Sequence, residues 1–256
     1  MASSQAASHI HQLLDEHWTA TLNVEQSVWR DADVVVASHP EPSHTDHVYL
    51  IRREDSCIIV VPQALVGSTT IACASWPSAA VFDRAFVRTL YGDAVSSIHG
   101  PFWLGYATQD TFHPVDSRGA RLLGEAPPDQ DGLSAMRTMV SENEWIDAGF
   151  EIPAAQAYGC FVDDELVCAG TLTPFRGVPA NIGVLTHPGH RNQGFGAAML
   201  SALTAKALSH SPAAQCRVLD ENGAAVRMAR LLGYVEDGRS LEVVLQVHPS
   251  GDGFRG

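Results

Sequence analysis

Two hydrophobic periods alternate along this chain, and each switch between them predicts an element boundary. Helical spacing covers Ile10 to Leu22, and strand-like runs follow at Asp33 to Ala37, His47 to Arg52 and Cys57 to Val61. The last two runs flank RREDS, a polar stretch suited to a hairpin turn. Helical spacing returns over Ala79 to Leu90, where Val81, Phe82, Ala85, Phe86 and Leu90 share a face, and an apolar stretch from Phe102 to Tyr106 leads into linker-like sequence. A second series then begins, with a strand at Arg121 to Leu123, a turn at APPDQDG and a helix starting near Asp131. Strands Gln156 to Val162 and Leu166 to Leu172 are joined by a polar turn, Asp163 to Glu165. After them come strand Asn181 to Thr186, a helix over Gly194 to Leu208, strand Gln215 to Leu219, a helix over Gly223 to Leu232 and strand Leu241 to Val247. In the last strand Leu241, Val243 and Leu245 alternate with polar neighbours, as in a sheet with one wet face.

This order predicts an α/β fold in two parts, residues 1–116 and 117–247, with a disordered tail at 248–256. With 256 residues and 45% hydrophobic content the chain can bury a substantial core. A formal net charge of -13 repels a polyanion, so a nucleic-acid partner is not expected. Five scattered cysteines without a CxxC pair fit reduced thiols, and no stretch approaches a membrane span. The N-terminus lacks a basic region followed by an apolar one, so a cytoplasmic location is expected, with no membrane partner.

The chemistry concentrates in GVLTHPGHRNQGFGAAML, Gly183 to Leu200. A strand stops at Pro188, passes His190 and Arg191, and delivers Gly194 and Gly196 to the start of a helix. The first turn of a helix offers unpaired N–H groups and the positive end of its dipole, which suits a pyrophosphate. Gly194 and Gly196 remove the Cβ atoms that would keep phosphate oxygens away, and Arg191 places a guanidinium at the same mouth. A dinucleotide fingerprint is the competing reading of Gly194-Phe195-Gly196, but its third glycine would fall at Met199, and its turn should follow the strand directly.

The spacing Arg191-x-x-Gly194-x-Gly196 after a strand, then Asn222-x-x-Ala225 opening a helix that ends at Leu232-Gly233-Tyr234, resembles the GNAT superfamily of acyl-CoA N-acyltransferases. The likeness covers roughly the second half of the chain. It implies a mixed central sheet flanked by helices, beside an α/β N-terminal half that is accessory or a degenerate copy. It also implies acetyl-CoA as donor, held by Val184, Leu185 and Thr186 along the pantetheine arm, by Arg191, Asn192, Gln193, Gly194, Phe195, Gly196 and Ala197 at the pyrophosphate, and by Asn222. The strand Val184 to Thr186 is then expected to splay from its neighbour, with the Leu185 amide stabilising the oxyanion while an amine, expected to be a small molecule, attacks directly.

One departure from the family concerns protons. Counting seven residues from Asn222, where many members carry a tyrosine acid, gives Ala229. For the base, Glu144 and Glu151 lead because they lie near the segment that lines the acceptor cleft in this fold, with Asp220 and Glu221 behind them. The missing acid also keeps open a catalytically weak CoA-binding sensor, and succinyl-CoA or a longer thioester is a further alternative donor. His39, His44 and His47 lie close in sequence, but no fourth ligand is evident and no metal is expected. His187 is read as a loop histidine, His190 as either a loop histidine or a phosphate contact, Cys216 as a core residue, and Trp103 and Tyr106 as either core or an aromatic wall for the acceptor.

Overall fold

The computed structural model describes residues 2–22, 24–25, 27–31, 33–40, 46–153, 155–174 and 180–246. They fall into two compact units, one from Met1–His11 and Trp103–Asp237, the other from Gln12–Phe102 and Gly238–Gly256. The elements in chain order are α1 (Ala2–Leu22), α2 (Val28–Asp31), β1 (Val34–Ser38), β2 (His47–Arg53), β3 (Ser56–Val61), α3 (Val66–Cys73), α4 (Ser78–Val81), α5 (Arg84–Tyr91), β4 (Val95–Ala107) and β5 (Arg121–Leu122). Then follow α6 (Pro127–Met139), α7 (Glu142–Asp147), β6 (Gln156–Val162), β7 (Glu165–Pro174), β8 (Ala180–Thr186), α8 (Phe195–Leu208), β9 (Ala214–Leu219), α9 (Gly223–Leu231) and β10 (Val235–Leu245). Among the described residues no helix is long and apolar enough to cross a membrane. The tail expected to be disordered lies outside the described residues, as does His44.

In the unit built from Gln12–Phe102 and Gly238–Gly256, β1 runs parallel to β3, while β2 is antiparallel to both β3 and β10. The β2–β3 hairpin turns where RREDS predicts it, with Glu54 at a left-handed φ of 49°. Its core includes Val48, Leu50, Ile59, Val61, Leu241 and Val243, so the alternation in β10 does mark a buried face. The helix expected over Ala79 to Leu90 is instead two. Asp83 interrupts it, because its carboxylate accepts from the N–H groups of Ala85 and Phe86 and so caps α5.

The other unit orders its strands β4-β9-β8-β7-β6-β5; β8 runs parallel to β9, and β7 is antiparallel to both β8 and β6. Asp163 and Asp164, at φ 47° and 65°, make the tight turn between β6 and β7. Helix α6 begins at Pro127 and not near Asp131, so APPDQDG is largely a first helical turn. Proline there has its φ preset and lacks an N–H that would in any case go unpaired. Helix α8 buries Met199, Leu200 and Leu203 in one core with Val167 and Ile182, whereas Met136, Trp145 and Leu185 form a second cluster. Along β8, therefore, Ile182 and Leu185 belong to opposite layers, as the strand period requires.

Candidate functional site

Strand β8 ends at Thr186, and the chain then folds into a single turn, Pro188–His190. The ring of His187 accepts from the Gly189 N–H at 3.1 Å, and the Gln193 amide donates to the Gly189 carbonyl at 3.2 Å. Asn192 at φ 63° and Gly194 at φ 87° reverse the chain into α8. The N-cap is Gly194 itself, and no side chain caps the helix. The first intrahelical bond is Ala198 N–H to the Gly194 carbonyl, at 3.0 Å. The amides of Phe195, Gly196 and Ala197 precede it at the uncapped end, the arrangement that receives a phosphate group.

The expected splay beside this turn is present. The parallel ladder between β8 and β9 pairs Ala180 with Ala214, Asn181 with Gln215 and Ile182 with Cys216, and extends no further, although β8 continues to Thr186 and β9 to Leu219. On its other side β8 stays paired with β7 up to Thr186 opposite Cys168, and the His187 N–H donates to the Val167 carbonyl at 2.9 Å. Antiparallel bonding alternates, so Leu185, two residues before His187, turns its N–H toward Ala169 of β7. The main-chain groups of Val184 and Thr186 are the ones that face the gap. The Leu185 side chain is 5% exposed in the cluster with Met136 and Trp145. In this register the Leu185 N–H is used within the sheet, whereas that of Val184 faces the gap.

Gly196 faces the same gap. A Cβ there would stand 3.2 Å from the Thr186 hydroxyl and 3.4 Å from the Met228 sulfur. Met228 occupies no motif position in the sequence.

Arg191 does not point freely at the helix mouth. Its Nη2 donates to Glu144 Oε1 at 2.8 Å, and its Nε donates to the Thr186 carbonyl at 3.3 Å. Glu144 is the third residue of α7, and its other oxygen accepts from both the N–H and the hydroxyl of Ser141, closing a capping box. The Ser141 main-chain N–H, then its hydroxyl and Arg191, hold the Glu144 carboxyl below its ordinary value despite some desolvation. A carboxylate so engaged is a poor proton acceptor. Glu151 is tied to Arg137 at 2.6 Å, both side chains half exposed.

Asn222 caps α9 by accepting from the Ala225 N–H at 3.2 Å. Ala229 is fully buried in the core under α8, so its position offers no room for a tyrosine. Asp220 and Glu221 are exposed at the turn between β9 and α9. Trp103 and Tyr106 are core residues and not an acceptor wall: the indole donates to Glu236 at 2.8 Å, and the Tyr106 hydroxyl accepts from Gln215 at 3.0 Å. All five cysteines are free and buried, and burial pushes the Cys216 thiol up to about 12.

Two groupings bear on metals. His39 bonds the main-chain carbonyl of His47, and the His47 ring faces Asp46 at 2.8 Å. Glu165, His187 and His190 bring ligand-type atoms within 4.8 Å of one another. The Gly189 N–H occupies His187 Nδ1, and Nε2 lies 4.0 Å from Glu165.

Sequence reading missed Arg118, which lies in the linker-like stretch. Its guanidinium carbon lies 4.8 Å over the Phe195 ring centroid, and its Nη2 lies 3.3 Å from where a Gly194 Cβ would be. No spacing signal pointed to it.

The model of the acetyltransferase (GNAT) family matches residues 121–234. A solved GNAT-family acetyltransferase from Colwellia psychrerythraea is 14% identical, with 93% of this chain and 97% of that chain covered at a TM-score of 0.50, a likeness of fold. A GNAT-family protein from Novosphingobium aromaticivorans is 20% identical over 59% of this chain and 66% of that one, with a TM-score of 0.48. A GCN5-related N-acetyltransferase from Kribbella flavida is 19% identical over 66% and 64%, with a TM-score of 0.44. The chain thus spans slightly less than two thirds of the length of these last two. No curated protein matches it. The uncapped glycine turn, the parted strands and the family match coincide in one segment, and residues 121–234 are a domain of the GNAT acetyltransferase family.

Proposed function

We propose that this domain transfers an acyl group, acetyl in the simplest case, from a coenzyme A thioester to an amine nitrogen by direct attack. The observation that carries the reading is the β8–β9 ladder ending at Ile182 and Cys216 on the same strand that feeds the uncapped helix at Gly194. A linear amide-containing arm suits the parted edge, and a pyrophosphate suits the helix end. The residues present fit such a donor, because Gly194 and Gly196 add no side chain at the helix end.

The thioester supplies an activated acyl carbon with a good leaving group. The chain supplies placement and charge stabilisation. Thr186 and Val184 present main-chain groups along the gap, and the Val184 N–H is aimed where negative charge develops on the carbonyl oxygen. Fixing both reactants in line supplies up to about 7–11 kcal/mol of the barrier. Glu144 acts as a positioning residue, holding Arg191 and the α7 terminus against the end of β8. With Glu144 and Glu151 both ion-paired, the amine loses its proton to water before attack, and the thiolate departs without an acid at position 229, which thiols tolerate because they are weak bases. The acceptor is a small amine in this reading, and the protein works in the cytoplasm.

A thiol-release assay with acetyl-CoA and a panel of small amines tests it. Amine-dependent, saturable release of free CoA is expected, rising with pH toward the amine pKa of about 10.4. Saturable acetyl-CoA binding with no turnover for any amine would instead favour a CoA-responsive sensor.

A further inference from the structure

We infer that Arg118, which lies outside the family-matched segment, is the guanidinium that meets the donor pyrophosphate, while the motif residue Arg191 serves structure. This rests on the acyl-CoA reading above.

Three observations converge. First, Arg191 is committed: one nitrogen donates to Glu144 and another to the Thr186 carbonyl, so its charge is already opposed. Second, the Arg118 guanidinium has no carboxylate partner among the described residues, since nearby Asp116 accepts from the Arg118 main-chain N–H instead, at 2.9 Å. Its guanidinium lies over Phe195, the first residue of α8, and within reach of Gly194. Third, the turn that delivers it is locally costly. Arg118 has a φ of 48° and Gly119 one of 70°, closed by the Ala120 N–H bonding the Ser117 carbonyl at 3.0 Å. A non-glycine residue adopts such a φ only when its surroundings hold it there. With its Cζ over the Phe195 ring and its Nη2 3.3 Å from where a Gly194 Cβ would stand, the guanidinium lies at the helix mouth, and its N–H fork matches phosphate oxygens. The helix amides and a guanidinium with no acidic partner thus converge on one doubly charged group.

Calorimetric titration of the full chain at low salt tests this with four ligands: acetyl-CoA, CoA, 3′-dephospho-CoA and acetylpantetheine. Arg118→Gln is expected to weaken acetyl-CoA, CoA and 3′-dephospho-CoA alike, by roughly tenfold or more, and to leave acetylpantetheine unchanged. Arg118→Lys is expected to recover part of the loss. Arg191→Gln is expected to lower the melting temperature and to weaken 3′-dephospho-CoA less than Arg118→Gln does. Equal affinities in wild type and Arg118→Gln overturn the inference. So does a loss confined to ligands bearing the 3′-phosphate, an equal loss for acetylpantetheine, or a larger effect from Arg191→Gln. If the wild type itself binds none of the four, the acyl-CoA reading has failed, which is a different result from an Arg118 variant that matches a binding wild type.

Discussion

Gly183 of β8 lies against the main chain of Ala148, just beyond α7: a Cβ at 183 would stand 2.1 Å from the Ala148 carbonyl oxygen. That oxygen also accepts the Thr171 hydroxyl at 2.5 Å, so it cannot easily move away. The contact sets how closely the α7 terminus, with Glu144, approaches the end of β8. Gly183→Ala should therefore lower the urea midpoint by an amount equivalent to at least about 1–3 kcal/mol. Gly67→Ala in α3, where nothing lies within 4 Å of the added Cβ, is the control and should be neutral or stabilising. Equal behaviour of the two variants would refute the close approach.

Gly196 poses a milder case, because the atoms nearest its added Cβ are the Thr186 hydroxyl at 3.2 Å and the flexible Met228 side chain, which can yield. Gly196→Ala should keep or raise the melting temperature, since alanine favours the helix by about 1 kcal/mol. The same variant should bind acetyl-CoA at least about tenfold more weakly, because the methyl group fills the approach to the helix end. Unchanged affinity would show that nothing enters there.

The main-chain donor can be assigned by replacing single residues with their α-hydroxy acids, which deletes one N–H. At Val184 the substitution should cut kcat by about 10²–10³-fold with little loss of stability. At Leu185 it should remove a ladder bond, about 1 kcal/mol, and leave kcat within a few-fold. The reverse pattern would restore Leu185 as the oxyanion donor.

Glu144 makes a pH-dependent contribution. Its carboxyl is more acidic in the folded chain than in the unfolded one, so its stabilisation is complete above the unfolded value and disappears as pH falls through the folded value. Glu144→Gln should cost about 0.5–1 kcal/mol at pH 7, as capping boxes do, and nothing well below pH 4. Chemical denaturation of both proteins across that range measures the difference. A gap that persists undiminished in acid would mean the carboxylate charge is not what matters.

The buried hydroxyls of Tyr234 and Thr204 meet at 2.6 Å, and Thr204 also bonds the Leu200 carbonyl at 2.6 Å. Burial raises the Tyr234 phenol well above its ordinary value, so it stays protonated and can donate. Thr204→Val should cost about 1–3 kcal/mol by stranding that hydroxyl, and adding Tyr234→Phe should recover part of the loss. Strict additivity would show the two groups are independent.

The glycine turn was legible because its requirement is local. Gly194 needs a left-handed φ and Gly196 a missing Cβ, and both follow from the residue type. Which residue of β8 turns its N–H to the gap was not legible, because that depends on the register against β7, set by pairs such as Ala169 with Leu185. Pro127 opens α6 where its sequence suggests a turn, since a proline pair serves equally as a helix start. Glu144 looked like a free acid until Ser141 and Arg191 were placed on its oxygens.

The sequence by itself determined the strand-to-helix turn, the two-residue periods and the family, since each depends on neighbours a few positions apart along the chain. Only the tertiary structure decided which charges are spent. Arg191 and Glu144 are 47 residues apart and cancel one another, while Arg118 reaches the helix mouth from a loop with no motif, because Coulomb and hydrogen-bond energies depend on distance in space and not on separation along the chain.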